Sequence, residues 1–346
     1  MASNSFGNLF RITTWGESHG KAVGVVIDGC PAGLEIHEQE INDALSLRAP
    51  GRNSYTSPRK ETDAVEILSG MFEGKTTGAP ISIMIPNKDA DSSKYESVKE
   101  LLRPGHANYT YLQKYGIFDY RGGGRASARE TVCRVAAGAI AKKFLAQSGI
   151  CISASLKQIG FLQNPSESEI IALIEKVKNQ GDSLGGIVEF IASSVPVGFG
   201  DPVYEKLEAH LASAMMSIPA VKGFEIGSGF SSVCMKGSEH NDLFVNEEGR
   251  VRTQTNHAGG VLGGISTGMP IVGRVAFKPT SSIMKPQNSL TISGESASYL
   301  LPEGSRHDPC VAVRAVPVVE AMAALVLADA MLFKRCQEPI SKREGL

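Results

Sequence analysis

The chain has 346 residues, with 35 basic side chains against 36 acidic ones and a formal net charge of -1. That length supplies ample material for a buried core, while the near-neutral balance gives no overall field to draw nucleic acid or an anionic membrane surface. Any anion site must therefore be built locally.

In chain order, the opening stretch MASNSFGNLFRITTWGESHG lacks an apolar run of signal-peptide length. β-branched runs then mark strands: AVGVVID (22–28), PISIMIP (80–86), GIVEFIA (186–192) and IVGRVAF (271–277). Between them lie segments of helical period. Ser166 with Glu169 reads as a capping box, and Asp201 followed by Pro202 reads as an N-cap and first helical residue. The most apolar late stretch, 315–333, contains Pro317, Glu320 and Asp329, which is unlike a membrane span. The expectation is a mixed α and β chain, soluble and cytoplasmic, with no membrane partner.

Residues 25–47 and 189–215 share an order of strand, Pro-x-Gly-apolar turn and amphipathic helix. This hints at an internal duplication, although strand, turn and helix recur in any α/β protein. No long linker separates two halves, so one domain over 1–346 is expected. The six cysteines are scattered, with no metal-ligand spacing, and buried reduced thiols are the default reading.

The stretch DYRGGGRASARET (119–131) places three glycines between two arginines and just before a helical pattern. Glycine runs mark close approach or unusual dihedrals. Ser127 with Glu130 fits a capping box, so a glycine loop feeds a helix N-terminus, where free N–H groups favour an anion. Arg125 and Arg129 would reinforce it, and the expected visitor is a phosphate or carboxylate. Arg134, four residues after Glu130, reads as an intrahelical ion-pair partner. An arginine-glycine RNA-binding segment is the competing reading, but such segments usually repeat, and this one occurs once and opens a helix.

The loop KPTSS (278–282) offers a cation and three hydroxyls, and alone would read as an ordinary turn. His37 and His210 fall on helix faces, whereas His19, His106, His257 and His307 fall in loops rich in glycine, proline or charge, where a group titrating near neutrality can move protons. The segment NHAGGVLGGISTGMP (256–270) could floor a flat ring or simply pack backbone closely, and composition leaves both open. A nucleotide phosphotransferase would need the GxxxxGK[ST] spacing, which RGGGRASARET lacks.

Taken together and in this order, WGESHG, RPGHANYTY, DYRGGGRASARET, NHAGGVLGGISTG, KPTSS and RHDPCVAVRAVPVVEAMAA resemble the chorismate synthase family, from about residue 6 to residue 335. The resemblance implies an α/β (α+β) fold, a β-α-β sandwich with internal pseudo-duplication, assembled as a homotetramer. It implies 1,4-anti elimination of phosphate from 5-enolpyruvylshikimate 3-phosphate to give chorismate, dependent on reduced FMN. That is the last common step of the shikimate pathway to aromatic amino acids, catalysed by a carbon–oxygen lyase.

By the same resemblance, His19, His106 and Asp308 are the catalytic residues. Arg48, Arg52, Arg129 and Arg314 bind substrate or NADP. FMN would lie against Arg125, Ala126 and Ser127, the Glu239–His240 region, Gly263, the loop Lys278, Pro279, Thr280, Ser281 and Ser282, and Arg306. Two positions depart from the family pattern: Ala126 stands where serine is usual, and Ser54 where an arginine is frequent, which leaves open whether Arg52 takes over that contact. Ala126 is expected to offer its backbone N–H in the serine's place. No GxGxxG fingerprint follows a strand, so an outside reductant for the flavin is expected.

Overall fold

In a computed structural model, residues 3–49, 63–88, 93–302 and 308–337 are described. The first half runs β1 (Ser5–Phe6), β2 (Arg11–Gly16), β3 (Ala22–Asp28), α1 (Glu38–Arg48), β4 (Glu66–Ile67), the small hairpin β5 (Met71–Phe72) and β6 (Lys75–Thr76), β7 (Ile81–Pro86), α2 (Asn108–Tyr115) and α3 (Thr131–Ala146). Next come β8 (Cys151–Ile159), β9 (Leu162–Gln163), α4 (Glu167–Asn179), β10 (Gly186–Ser193), α5 (Leu207–Met216) and β11 (Val221–Ile226). They are followed by α6 (Gly237–His240), the hairpin β12 (Phe244–Glu247) and β13 (Arg250–Thr253), the hairpin β14 (Val261–Leu262) and β15 (Ile265–Ser266), and β16 (Ile271–Phe277). The hairpin β17 (Gln287–Leu290) and β18 (Ser296–Tyr299) precedes the long α7 (Ala312–Gln337).

Two five-stranded antiparallel sheets result, β1-β2-β3-β7-β4 and β11-β16-β10-β8-β9. Burial alternates along β7, β10 and β16, so each sheet has one dry face. Ile81, Ile83 and Ile85 are buried on one sheet, Val188, Phe190 and Ala192 on the other. Helices fill the space between: α3 packs on β2, β3 and β7, α7 packs on β8 and β10, and the two helices pack on each other. Their contact is close because Gly138 faces Ala321, where a Cβ on the glycine would come within 2.3 Å of the alanine's Cβ. By length and composition α7 could cross a membrane, but 72% of its apolar 18-residue window is buried, as in the core helix of a sandwich.

The duplication is real, and hydrogen bonds show it pair by pair. Thr76 Oγ1 donates to Pro31 O at 2.6 Å and accepts from Leu34 N at 2.9 Å. In the second half Ser266 Oγ donates to Pro196 O at 2.6 Å and accepts from Phe199 N at 2.8 Å. Thr76 N and Ser266 N then donate to Leu34 O and Phe199 O, both at 2.9 Å. A Pro-x-Gly-apolar turn is thus clasped by a hydroxyl in each half.

The four expected strands and the Ser166–Glu169 capping box are present. Two local readings need correction. Asp201–Pro202 does not start a helix: α5 begins at Leu207 after Lys206. The backbone at Gly200 and Val203 runs through positive φ of 91° and 62°, and Asp201 N turns back onto Glu205 O at 3.1 Å, so the chain reverses before it coils. Among the cysteines only Cys30, Cys133 and Cys310 are buried, and burial raises their thiol pKa to about 11, about 12 and about 11. Cys151, Cys234 and Cys336 are exposed.

Candidate active site

A cavity of about 870 Å³ opens where the amino-terminal segment, the triple-glycine loop, the RPGH loop, the KPTSS loop and the start of α7 converge. Its lining holds eight lysine or arginine side chains against two carboxylates, Glu130 and Asp308. In a chain of net charge -1 this is a local excess of positive charge, and a concave wall focuses its field. His19, His106, Arg48, Arg125, Ala126, Ser127, Arg129, Lys278, Thr280, Ser281, Ser282, Asp308 and Arg314 all line it.

Two of the three glycines face histidine rings, and the third, Gly124, faces Asp119. A Cβ on Gly122 would sit 2.0 Å from His19 Cε1, and one on Gly123 would sit 2.9 Å from His106 Cε1. Both glycines have positive φ, 65° and 89°, so the loop curls around two imidazole rings. His19 is further fixed by Ser18 Oγ, 3.1 Å from its Nδ1, and by Tyr95, whose ring meets it edge-on with centroids 5.5 Å apart. Imidazole rings occupy the space that the missing Cβ atoms of Gly122 and Gly123 leave, and the loop lines the cationic cavity through Gly122 and Arg125.

The loop's amides are also used internally. Ala126 N donates to Gly123 O at 2.9 Å and Ser127 N to Gly124 O at 3.3 Å, so the backbone N–H expected to meet a ligand at Ala126 closes a turn instead. Ser127 does cap, accepting from Arg129 N at 3.3 Å. The expected capping box with Glu130 is absent. Glu130 instead pairs with Arg134 at 2.8 Å, as the four-residue spacing suggested. Arg134 also donates to Ser217 Oγ at 2.6 Å, tying α3 to the end of α5.

Arg48, Arg129 and Arg314 form the deep wall. Arg48 comes from the last turn of α1 and donates to Thr131 Oγ1 at 2.9 Å and Ala128 O at 3.0 Å. Arg314 joins it through Arg48 O at 2.9 Å and holds Asp308 Oδ2 at 2.6 Å. Burial lowers the Arg48 pKa to about 10, helped by repulsion from Arg314 and Arg129. Arg125 points the other way, its guanidinium donating to Gly16 O at 3.1 Å and Thr14 Oγ1 at 2.8 Å.

Across the cavity the two halves are stapled together. Lys278 Nζ donates to Gly105 O at 2.8 Å, and Arg103 donates to Ser282 Oγ. Desolvation lowers the Lys278 pKa, and Lys222 and Arg103 add repulsion. Arg103 Nε and Thr280 Oγ1 are buried with no hydrogen-bond partner among the described residues, although both line the cavity. Buried polar atoms left this way are costly, and a phosphate-bearing ligand such as FMN would satisfy them. The residues present fit that group.

Pro279 stands behind its loop, 3.3 Å from where a Cβ on Gly185 would lie, and is not in the lining. Gly263 sits in the β14–β15 hairpin with nothing near its open side. Glu239 caps α6, accepting from Lys236 N at 2.9 Å, and His240 lies beside His257 with ring centroids 5.7 Å apart. None of these three lines the cavity. Arg52 and Arg306, with Ser54, lie outside the described residues. Sequence reasoning missed Arg103, Tyr95 and Asp63. Arg103 begins the same RPGH motif that drew attention to His106, and its charge beside Pro104–Gly105 was signal enough to find it.

The chorismate synthase family model matches residues 10–332. A chorismate synthase of Protochlamydia amoebophila is 61% identical, over 97% of this chain and all of that protein. One of Opitutus terrae is 53% identical over 94% and 96%, and one of Methanosarcina mazei 51% identical over 96% and 97%. A chorismate synthase crystal structure superposes with a TM-score of 0.75 at 34% identity, covering 95% of this chain and 93% of that one. Matched along nearly its whole length by the family model and by these relatives, the chain belongs to the chorismate synthase family.

Proposed function

We propose that the cavity eliminates phosphate from 5-enolpyruvylshikimate 3-phosphate in a 1,4-anti sense, giving chorismate, with reduced FMN bound alongside. The observation that carries this reading is the gathering of eight cations and two histidines around one pocket in an otherwise neutral chain. The substrate bears a phosphate and two carboxylates, and guanidinium forks suit both groups.

In the reaction a carbon–oxygen bond to phosphate breaks, a ring carbon–hydrogen bond breaks, and the electron pair released by the proton becomes a new double bond. Arg48, Arg129 and Arg314 hold the substrate's anionic groups and meet the charge that develops on the departing phosphate. His19, braced by Ser18 and Tyr95, delivers a proton to that phosphate. Asp308, held by Arg314, would assist proton removal, and His106 would steady the changing charge of the bound flavin. When bound, reduced FMN supplies the electron density that eases carbon–oxygen cleavage. Arg103 and the hydroxyls of the 278–282 loop are the groups that would hold its phosphate.

The reading extends to the whole chain as one such domain in a soluble cytoplasmic homotetramer that draws reduced flavin from an outside reductant. Anaerobic phosphate release with dithionite-reduced FMN, set against oxidised FMN, tests the reaction. Turnover is expected only with the reduced cofactor, and equal rates would contradict it.

A further inference from the structure

We propose that Asp63 is a positioning residue of this site: its single carboxylate sets the planes of two substrate-binding guanidiniums without lining the pocket itself. The inference rests on the reading of that pocket as the substrate site. Asp63 comes just before β4, in a stretch with no glycine run, histidine or motif to mark it. Its side chain is 2% exposed, and its two oxygens serve different arginines, Oδ1 accepting from Arg129 and Oδ2 facing Arg48 NH1 at 3.4 Å.

The two arginines reach this carboxylate from separate elements, Arg48 from the end of α1 and Arg129 from the turn that precedes α3. They repel each other. A carboxylate bridging them offsets that repulsion and fixes their separation. The other donors are tied to the frame, Arg48 to Thr131 and Ala128 and Arg129 Nε to Asn87 Oδ1 at 2.9 Å. One negative charge between two positive ones leaves the pair cationic, so an incoming anion is still attracted. A buried ion pair is weak evidence for stability, since well-packed apolar groups serve as well or better. Fixed guanidinium geometry is the property that apolar groups could not reproduce.

The test is calorimetric titration of the FMN-loaded protein with 5-enolpyruvylshikimate 3-phosphate and, separately, with inorganic phosphate, for wild type, Asp63→Asn and Asp63→Glu. The amide of Asp63→Asn turns a donor toward one guanidinium, while Asp63→Glu keeps the charge but shifts it by about one methylene, about 1.5 Å. Both should weaken substrate binding by about tenfold or more, one decade of affinity. KM should rise more than kcat falls, and thermal melts report folding beside them. In an Arg129→Lys background the Asp63→Asn change should have much less effect, because coupled residues are non-additive. Wild-type affinity for substrate and phosphate in both variants would overturn the proposal. A wild-type protein that bound phosphate but not the substrate would overturn the substrate assignment, while loss of phosphate binding in the variants would still support Asp63's role. Binding of neither compound by wild type would overturn both.

Discussion

Two segments of this chain are rich in glycine and have different surroundings. At Gly122 and Gly123 the missing Cβ atoms make room for the rings of His19 and His106. In 259–264 they make room for backbone: a Cβ on Gly259 would lie 2.4 Å from Gly227 N, on Gly260 2.5 Å from Pro270 O, and on Gly264 2.4 Å from Asp201 O. One loop packs on two histidine rings and the other packs backbone on backbone. Glycine count alone does not report function; what faces the open side does.

The sharpest separation should come from the rings themselves. His106→Ala removes a group of the proposed acid–base and flavin machinery, and such groups contribute about a hundredfold to ten-thousandfold. Turnover with reduced FMN should fall by that amount, while the thermal midpoint stays near wild type. Unchanged turnover would remove His106 from the mechanism.

Gly260→Val should show the opposite pattern. Positive φ of 84° and the carbonyl of Pro270 in the way combine backbone strain of about 1 to 3 kcal/mol with overpacking of similar size. Denaturant unfolding should register that loss, with turnover per folded molecule kept. A variant as stable as wild type would dissolve the distinction between the two loops.

Gly122→Ala is the intermediate case. Alanine tolerates this φ at a cost of about 1 kcal/mol, but its methyl collides with His19, so turnover should drop by about tenfold to a hundredfold with only a small loss of stability. Equal losses in stability and activity would make the first loop structural like the second. Ala126→Ser should change least, within about 0.5 kcal/mol of stability, because the backbone N–H of Ala126 is already spent on Gly123 O. A marked gain in FMN affinity from this serine would show that its hydroxyl reaches the ligand.

Much of this was legible in the sequence where local chemistry is decisive. The β-branched runs at 22–28 and 271–277 became strands with those bounds, and the repeated Pro-x-Gly-apolar turn proved to be a duplicated clasp. The Asp201–Pro202 reading failed because a tertiary contact outranked local preference: Leu207 N donates to Gly264 O at 2.9 Å, fixing where the helix starts. Asp63 was invisible because its meaning lies in two arginines 15 residues before it and 66 residues after it. The packing of Gly122 against His19 was invisible for the same reason, since His19 lies far from it in sequence and arrives only when β2 and β3 form.

The central claim is that Gly122 exists to admit the His19 ring. Proton–carbon NMR of the histidine Cε1 groups in wild type and Gly122→Ala tests it without relying on turnover. The account expects the His19 resonance, assigned by loss of the signal in His19→Gln, to shift in the alanine variant while those of His37 and His210 stay in place. A His19 resonance unmoved by the added methyl would contradict it.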